Sequence, residues 1–158
     1  MGRKRTDHCR IGCVEELKID PQKLMDVLGL EPLEIGGHCA EVWAASSAAA
    51  VSSLLLQQGE EITWHRADAL RIWHHQGGAP VTVNMSLFGN SQTQVSLGID
   101  VAAGQRPYVV IPVGAWTRVV ATAPTLLGVT SCPGRRLADC QVAYAGWEPG
   151  YKKDDTGQ

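Results

Sequence analysis

From Gly36-Gly37 onward the chain is punctuated: short runs rich in Val, Ile, Leu, Thr and Trp are separated by Gly, Pro and Asn turn signals. β-Branched and aromatic side chains suit a pleated surface, and the turn residues cut that surface into pieces of strand length. Strands are expected over 42–45, 51–56, 62–67, 70–75, 81–87, 93–97, 108–111, 117–121, 126–130 and 141–145, with turns at 57–60, Gly77-Gly78 and Gly89-Asn90. Ahead of them, Asp20-Pro21 opens one helix. Aspartate is a good N-cap, proline is tolerated at the first helical position, and Leu24, Met25, Val27 and Leu28 carry the run to a closing Gly29. Many short strands behind a single helix indicate an all-β barrel or sandwich. Residues 1–20 read as a polar leader, 21–147 as one domain, and 148–158 as a frayed polar tail.

Composition narrows the partners. At 158 residues, with 44% hydrophobic and 19% charged residues, the chain can bury a core and reads as globular. A formal net charge of -2 argues against nucleic acid and anionic membrane, both of which are held by excess Lys and Arg. Arg3-Lys4-Arg5 is the local exception and is expected to be a solvated terminus. The first fifteen residues hold no apolar signal segment, and 42–56 is too short and serine-broken to span a bilayer, so a cytoplasmic location is expected. The five cysteines are odd in number and scattered, which fits reduced thiols. His8, Cys9 and Cys13 amount to half a zinc site whose other half is missing.

Two spacings stand inside the strand series. The first runs Gly, five residues, His-x-His, three or four residues, Glu, six residues, Gly. It fits from Gly59 through His65 to Gly78 with every spacer length kept. The second, ending in Pro-x-Gly-x-x-His, fits Pro112-Val113-Gly114, with its opening glycine displaced to Gly104. Around them stand Trp64-His65-Arg66, Ile72-Trp73-His74, Leu97-Gly98-Ile99-Asp100, Gly104-Gln105-Arg106-Pro107, Ile111 to Trp116 and Cys132-Pro133-Gly134, after Leu28-Gly29-Leu30 and Gly36-Gly37. On these residues the chain resembles the cupins, in particular a branch of small single-domain proteins filed as a domain of unknown function. The resemblance covers roughly residues 22 to 145 and implies a jelly-roll (double-stranded β-helix) barrel, pairing as a homodimer, and a pocket at the barrel mouth. It implies no reaction, because fold does not fix function.

The departures from that pattern carry the chemistry. In cupins the two spacings build a metal site inside the barrel. Here the first ligand position survives as His65, the second histidine is Ala67, the glutamate is Arg71, and the histidine of the second spacing is Thr117. One imidazole beside a guanidinium, which has no lone pair to donate, will not hold a transition metal. No cofactor is therefore expected. Relatives also tend to carry Asp-Glu where Leu70-Arg71 stands, Arg at Ala40 and Phe at Arg135.

Strand alternation puts Thr63, His65 and Ala67 on one face, and Arg71, Trp73 and His75 on one face of the next strand. With Thr117 and Val119 these form the expected pocket. An interior arginine needs a partner. One possibility is a protein carboxylate, best supplied by Glu41; the other is a ligand carboxylate or phosphate, which a planar guanidinium grips bidentately.

Two functions follow. In the first, a metal-independent isomerase, lyase or cyclase of a biosynthetic pathway acts on a small polar or acidic metabolite. Arg71 anchors it, His65 moves the proton, Trp64 and Trp73 form walls, and His75 is a second donor. Tyr108 or Tyr144 would be the acid and Asp68 the accompanying carboxylate in an epimerase-like version, and Trp116 lies at the barrel lip. In the second, the barrel binds a metabolite without catalysis, and Arg71 and the tryptophans matter while His65 hardly does. A metal-dependent dioxygenase is disfavoured by the missing ligands.

Overall fold

A computed structural model describes residues 18–150; Arg3-Lys4-Arg5, His8, Cys9 and Cys13 lie outside the described residues. The single helix among the described residues forms where its caps dictate. In α1 (Pro21–Leu28) the Asp20 carboxylate accepts from the backbone N–H groups of Gln22 and Lys23 at 3.1 and 3.3 Å. Gly29 ends it in the left-handed region, φ 62°, donating its N–H to Met25 O.

Eleven strands follow among the described residues: β1 (Glu31–Pro32), β2 (His38–Ala45), β3 (Ala49–Leu56), β4 (Glu61–Arg66), β5 (Leu70–Gly78), β6 (Val81–Ser86), β7 (Thr93–Leu97), β8 (Tyr108–Ile111), β9 (Trp116–Ala121), β10 (Thr125–Cys132) and β11 (Gln141–Val142). They pair antiparallel into a six-stranded sheet, β1-β2-β3-β10-β5-β8, and a five-stranded sheet, β11-β4-β9-β6-β7. Facing each other, the sheets make the expected all-β jelly roll. Leu54, Leu56, Trp73, Leu127 and Val129 from one sheet meet Ile62, Val81, Val83 and Val119 from the other, all buried. Each such side chain contributes roughly 1.5–3 kcal/mol on leaving water.

Two expectations shift. The two residues of β1 carry too little pattern to be read as a strand, yet Glu31 pairs with Cys39. Strand β5 continues through the Gly77-Gly78 turn signal because β10 supplies partners for both glycines. Past residue 147, Glu148 accepts a hydrogen bond from Trp64 Nε1 at 3.0 Å, and Gly150 N–H reaches Gly89 O at 2.8 Å. Among the described residues no helix is long and apolar enough to cross a membrane.

Candidate functional site

The site is organised by an irregularity in β4. Ile62 pairs with Val119 and His65 with Thr117, so three steps along β4 face two along β9. The extra residue is a bulge, and it resets the alternation. Ile62 and His65 therefore both face the interior, while Thr63 falls out of phase. It is half-buried, its N–H donates to Ile35 O at 2.9 Å, and its carbonyl accepts from His65 Nδ1 at 2.8 Å. The shared face expected for Thr63, His65 and Ala67 thus holds only for the last two, which border one void with Arg71, Trp73 and Thr117. Gly114, φ 77° in the turn after β8, can donate its N–H to Ala67 O at 2.9 Å, which holds that turn against the end of β4.

The void is small, about 10 Å³. That is room for roughly one water molecule. Interior side chains fill the rest. Arg71 is 1% exposed, lies beside Ser131 of β10, and directs Nη2 at the carbonyls of Arg136, Leu137 and Asp139 at 3.0, 3.3 and 3.4 Å. The guanidinium thus braces the 136–139 loop from beneath. Burial lowers its pKa, while Cys140, Asp139 and Asp68 nearby push the other way. Burial likewise raises the Cys140 thiol, against the lowering effect of the Arg71 charge and of hydrogen bonding to Arg71. His65 is pushed down to about 4, first by burial and further by the Arg71 charge, against backbone hydrogen bonding to Thr63 and Thr117. It is neutral at physiological pH.

Several expected members stand elsewhere. Glu41 is exposed on β2, and its charge is felt by Arg136 rather than Arg71, so the expected Glu41–Arg71 pair does not form. Trp64 is buried on the outer side of its sheet, edge-on to Trp147 at 5.5 Å. Trp116 packs on the same outer side, 4.6 Å from Trp147, with the Arg66 guanidinium 4.7 Å over its ring. Neither tryptophan walls the interior; Trp73 does, 6.3 Å from His65. His75 lies toward the other end of β5, Nε2 3.0 Å from Ala79 O. Tyr108 and Tyr144 are exposed, at 60% and 53%. Val119 is core.

Above the void, at the barrel mouth, lies a cavity of about 500 Å³ bordered by Arg66, Ala67, Asp68, Arg135, Asp139 and Gln141, with Cys140 and the Val113-Gly114 turn. Arg66 Nε donates to Gln141 Oε1 at 2.7 Å, and Arg135 pairs with Asp68 at 3.5 Å. Of these, only Asp68 figured among the expected acid–base groups. Arg135, Asp139 and Cys140 sit in the segment between β10 and β11, where no strand period marks which way a side chain faces, and Gln141 opens β11. The one signal was Arg135 itself, a charge where related sequences tend to place Phe.

The donor set at the four cupin ligand positions does not fit a transition metal. His65 is the one imidazole among the four positions, and Ala67 and Thr117 offer none. Arg71 places a cation where the metal charge would be. Among the described residues no group of three His, Cys, Asp or Glu is placed to hold a metal ion.

Comparison with known proteins agrees with the fold. A family model described as Cupin superfamily (DUF985) matches residues 22–143. No curated protein matches the sequence. Among solved structures, a protein of Shewanella oneidensis is similar at TM-score 0.73 and 24% identity, over 80% of this chain and 85% of that one. A hypothetical protein of Leishmania major is similar at TM-score 0.71 and 17% identity, over 77% and 86%. Oxalate decarboxylase from Bacillus subtilis is similar at TM-score 0.58 and 14% identity, over 70% of this chain and 29% of that enzyme.

Proposed function

This chain belongs to the cupin superfamily, in its DUF985 family, and from that premise we propose that it is a metal-independent cupin that binds a small, acid-bearing polar metabolite at the barrel mouth. The mouth cavity carries this reading: at about 500 Å³ it lies within the range of small-molecule sites, roughly 300–1,000 Å³. Its wall offers Arg66 and Arg135 against Asp68 and Asp139, and Arg71 beneath the floor tips the balance to positive. A ligand carboxylate or phosphate displaces Asp68 from Arg135 and takes a bidentate grip. Gln141 and the carboxylates receive its hydroxyl or amino groups. Metal independence rests on the donor set, in which an alanine, an arginine and a threonine replace three of the four ligands.

Binding rather than proton-transfer catalysis is the better reading, because His65 faces a space of about one water instead of the cavity a metabolite enters. Its depressed pKa also makes it a weak base. The test is a thermal-shift screen of sugar phosphates, nucleotide sugars, keto acids and aromatic acids, followed by calorimetry on each hit. A hit should weaken at least tenfold in Arg135→Ala and hardly change in His65→Gln. Turnover that disappears in His65→Gln while affinity is kept would restore the catalytic reading. A hit indifferent to both Arg135→Ala and Arg66→Ala would remove the mouth as its site.

A further inference from the structure

Six buried side-chain polar atoms have no hydrogen-bond partner among the described residues: His38 Nδ1, Arg71 Nε, Arg71 Nη1, Trp73 Nε1, His75 Nδ1 and Thr117 Oγ1. Four of these belong to Arg71, Trp73 and Thr117, and all three side chains border the same void of about 10 Å³. Unpartnered buried polar atoms are rare in folded proteins and call for an explanation. Here the four share a chemistry. Arg71 Nε and Nη1 and Trp73 Nε1 can only donate, and the Thr117 hydroxyl can donate.

The charge points the same way. Arg71 is fully buried, and no carboxylate lies within ion-pairing distance among the described residues. The two aspartates that influence it, Asp139 and Asp68, are already paired with Arg136 and Arg135. The interior thus holds a positive charge with spare donors around it. A water in the void could accept from only two of those donors, would bring two hydrogens of its own needing acceptors, and would leave the charge uncompensated.

We propose that the void is a site for a single monatomic anion, chloride in the cell, held by one of the two unpartnered N–H edges of Arg71, Trp73 Nε1–H and the Thr117 hydroxyl. The position from which other cupins hold a cation is thereby inverted in sign. Size selects the occupant: a space for about one water admits a halide, while phosphate, sulfate or a metabolite carboxylate exceeds it. The route in passes Ala67, which borders both the void and the mouth cavity and is small where a cupin metal site has its second histidine.

Crystals of the full chain soaked in sodium bromide and measured at the bromine absorption edge should show an anomalous peak in the void, within hydrogen-bonding distance of Arg71, Trp73 and Thr117. In parallel, the melting temperature should rise with the logarithm of chloride at constant ionic strength, with gluconate as the balancing anion. The expected rise is about 3–6 °C per tenfold chloride above its dissociation constant. Thr117→Val, nearly isosteric and one donor short, should weaken that response, and Arg71→Met should abolish it. If Arg71→Met does not fold, the bromide peak and Thr117→Val carry the test. Water density without an anomalous signal, or melting curves identical in chloride and gluconate, would overturn the proposal. The two sites fail separately, because Arg135→Ala weakens the mouth ligand and Thr117→Val the halide.

Discussion

Two arginines on either side of the five-stranded sheet have opposite surroundings. Arg118, on the outer face of β9, meets Glu61 Oε2 through both Nη2 and Nε, at 2.6 and 3.1 Å, and Glu148 Oε1 at 3.1 Å. Glu148 accepts in turn from Trp64 Nε1, and Trp147 packs between Trp64 and Trp116 beside it. Arg71, across the wall, has backbone carbonyls on one nitrogen and nothing on the other two. The outer arginine has more partners, yet it is 31% exposed and water could replace any of them. The inner one has fewer, and nothing replaces them. Partner number is therefore a poor guide to what an arginine contributes; what matters is the state left behind when it is removed.

That contrast breaks most directly at Arg71. Arg71→Ala strips the 136–139 loop of its brace, leaves buried carbonyls without a donor and opens a cavity in the interior. The expected loss is about 3–5 kcal/mol in urea denaturation. Arg71→Met keeps most of the volume and also removes the buried charge, so it should cost clearly less than the alanine variant. If the two cost the same, packing is not part of what Arg71 supplies.

The inner side should also show in the pH dependence. His65 titrates near 4 when folded and near its ordinary 6.5 when unfolded. Between those values the unfolded chain binds a proton that the folded chain refuses, so stability rises with pH across this window and falls on acidification from 6.5 to 4. The loss expected over that range is about 3 kcal/mol, from a pKa difference of about 2.5. His65→Gln should flatten the curve between pH 4 and 6.5 without changing its alkaline side. A wild-type curve no steeper than that of His65→Gln would mean that His65 is hydrated in the folded state.

Most of the fold was legible in the sequence, and less of the site. Helix α1 and most of the expected strands carry strong local signals, such as Asp20-Pro21, Gly29 and alternating Val, Ile and Leu, and they lie within a few residues of where those signals put them. His65, Arg71, Trp73 and Thr117 converge as the cupin spacing implied. What could not be read was phase and fill. The β4 bulge turns Thr63 away, and the spacing of apolar residues does not announce a bulge of one residue. Nor does a motif say whether the space between its residues is open. With Arg71 and Trp73 both folded inward, the interior closes and the usable cavity moves out to the segment before β11, where the loop conformation of 135–140 has no period to read.

The smallest effect is expected on the outer side. Removing Arg118 leaves Glu61 and Glu148, 41% and 51% exposed, free to hydrate. Exposed ion pairs contribute roughly 0.2–1 kcal/mol each, so Arg118→Ala should cost about 1 kcal/mol or less despite its better geometry. Because these charges face solvent, that cost should shrink further in molar salt, where screening acts within about 3 Å. Arg71→Ala should keep most of its deficit under the same conditions, since salt does not screen a carbonyl stripped of its donor in the interior. Measuring both variants at low and molar gluconate, which leaves the halide site out of the comparison, separates the two sides. If Arg118→Ala costs several kcal/mol and salt does not reduce it, the Glu61–Arg118–Glu148 network is a cooperative brace holding the 143–150 segment against β4 and β9. The outer face would then share in fixing the barrel that the interior arginine is argued to hold.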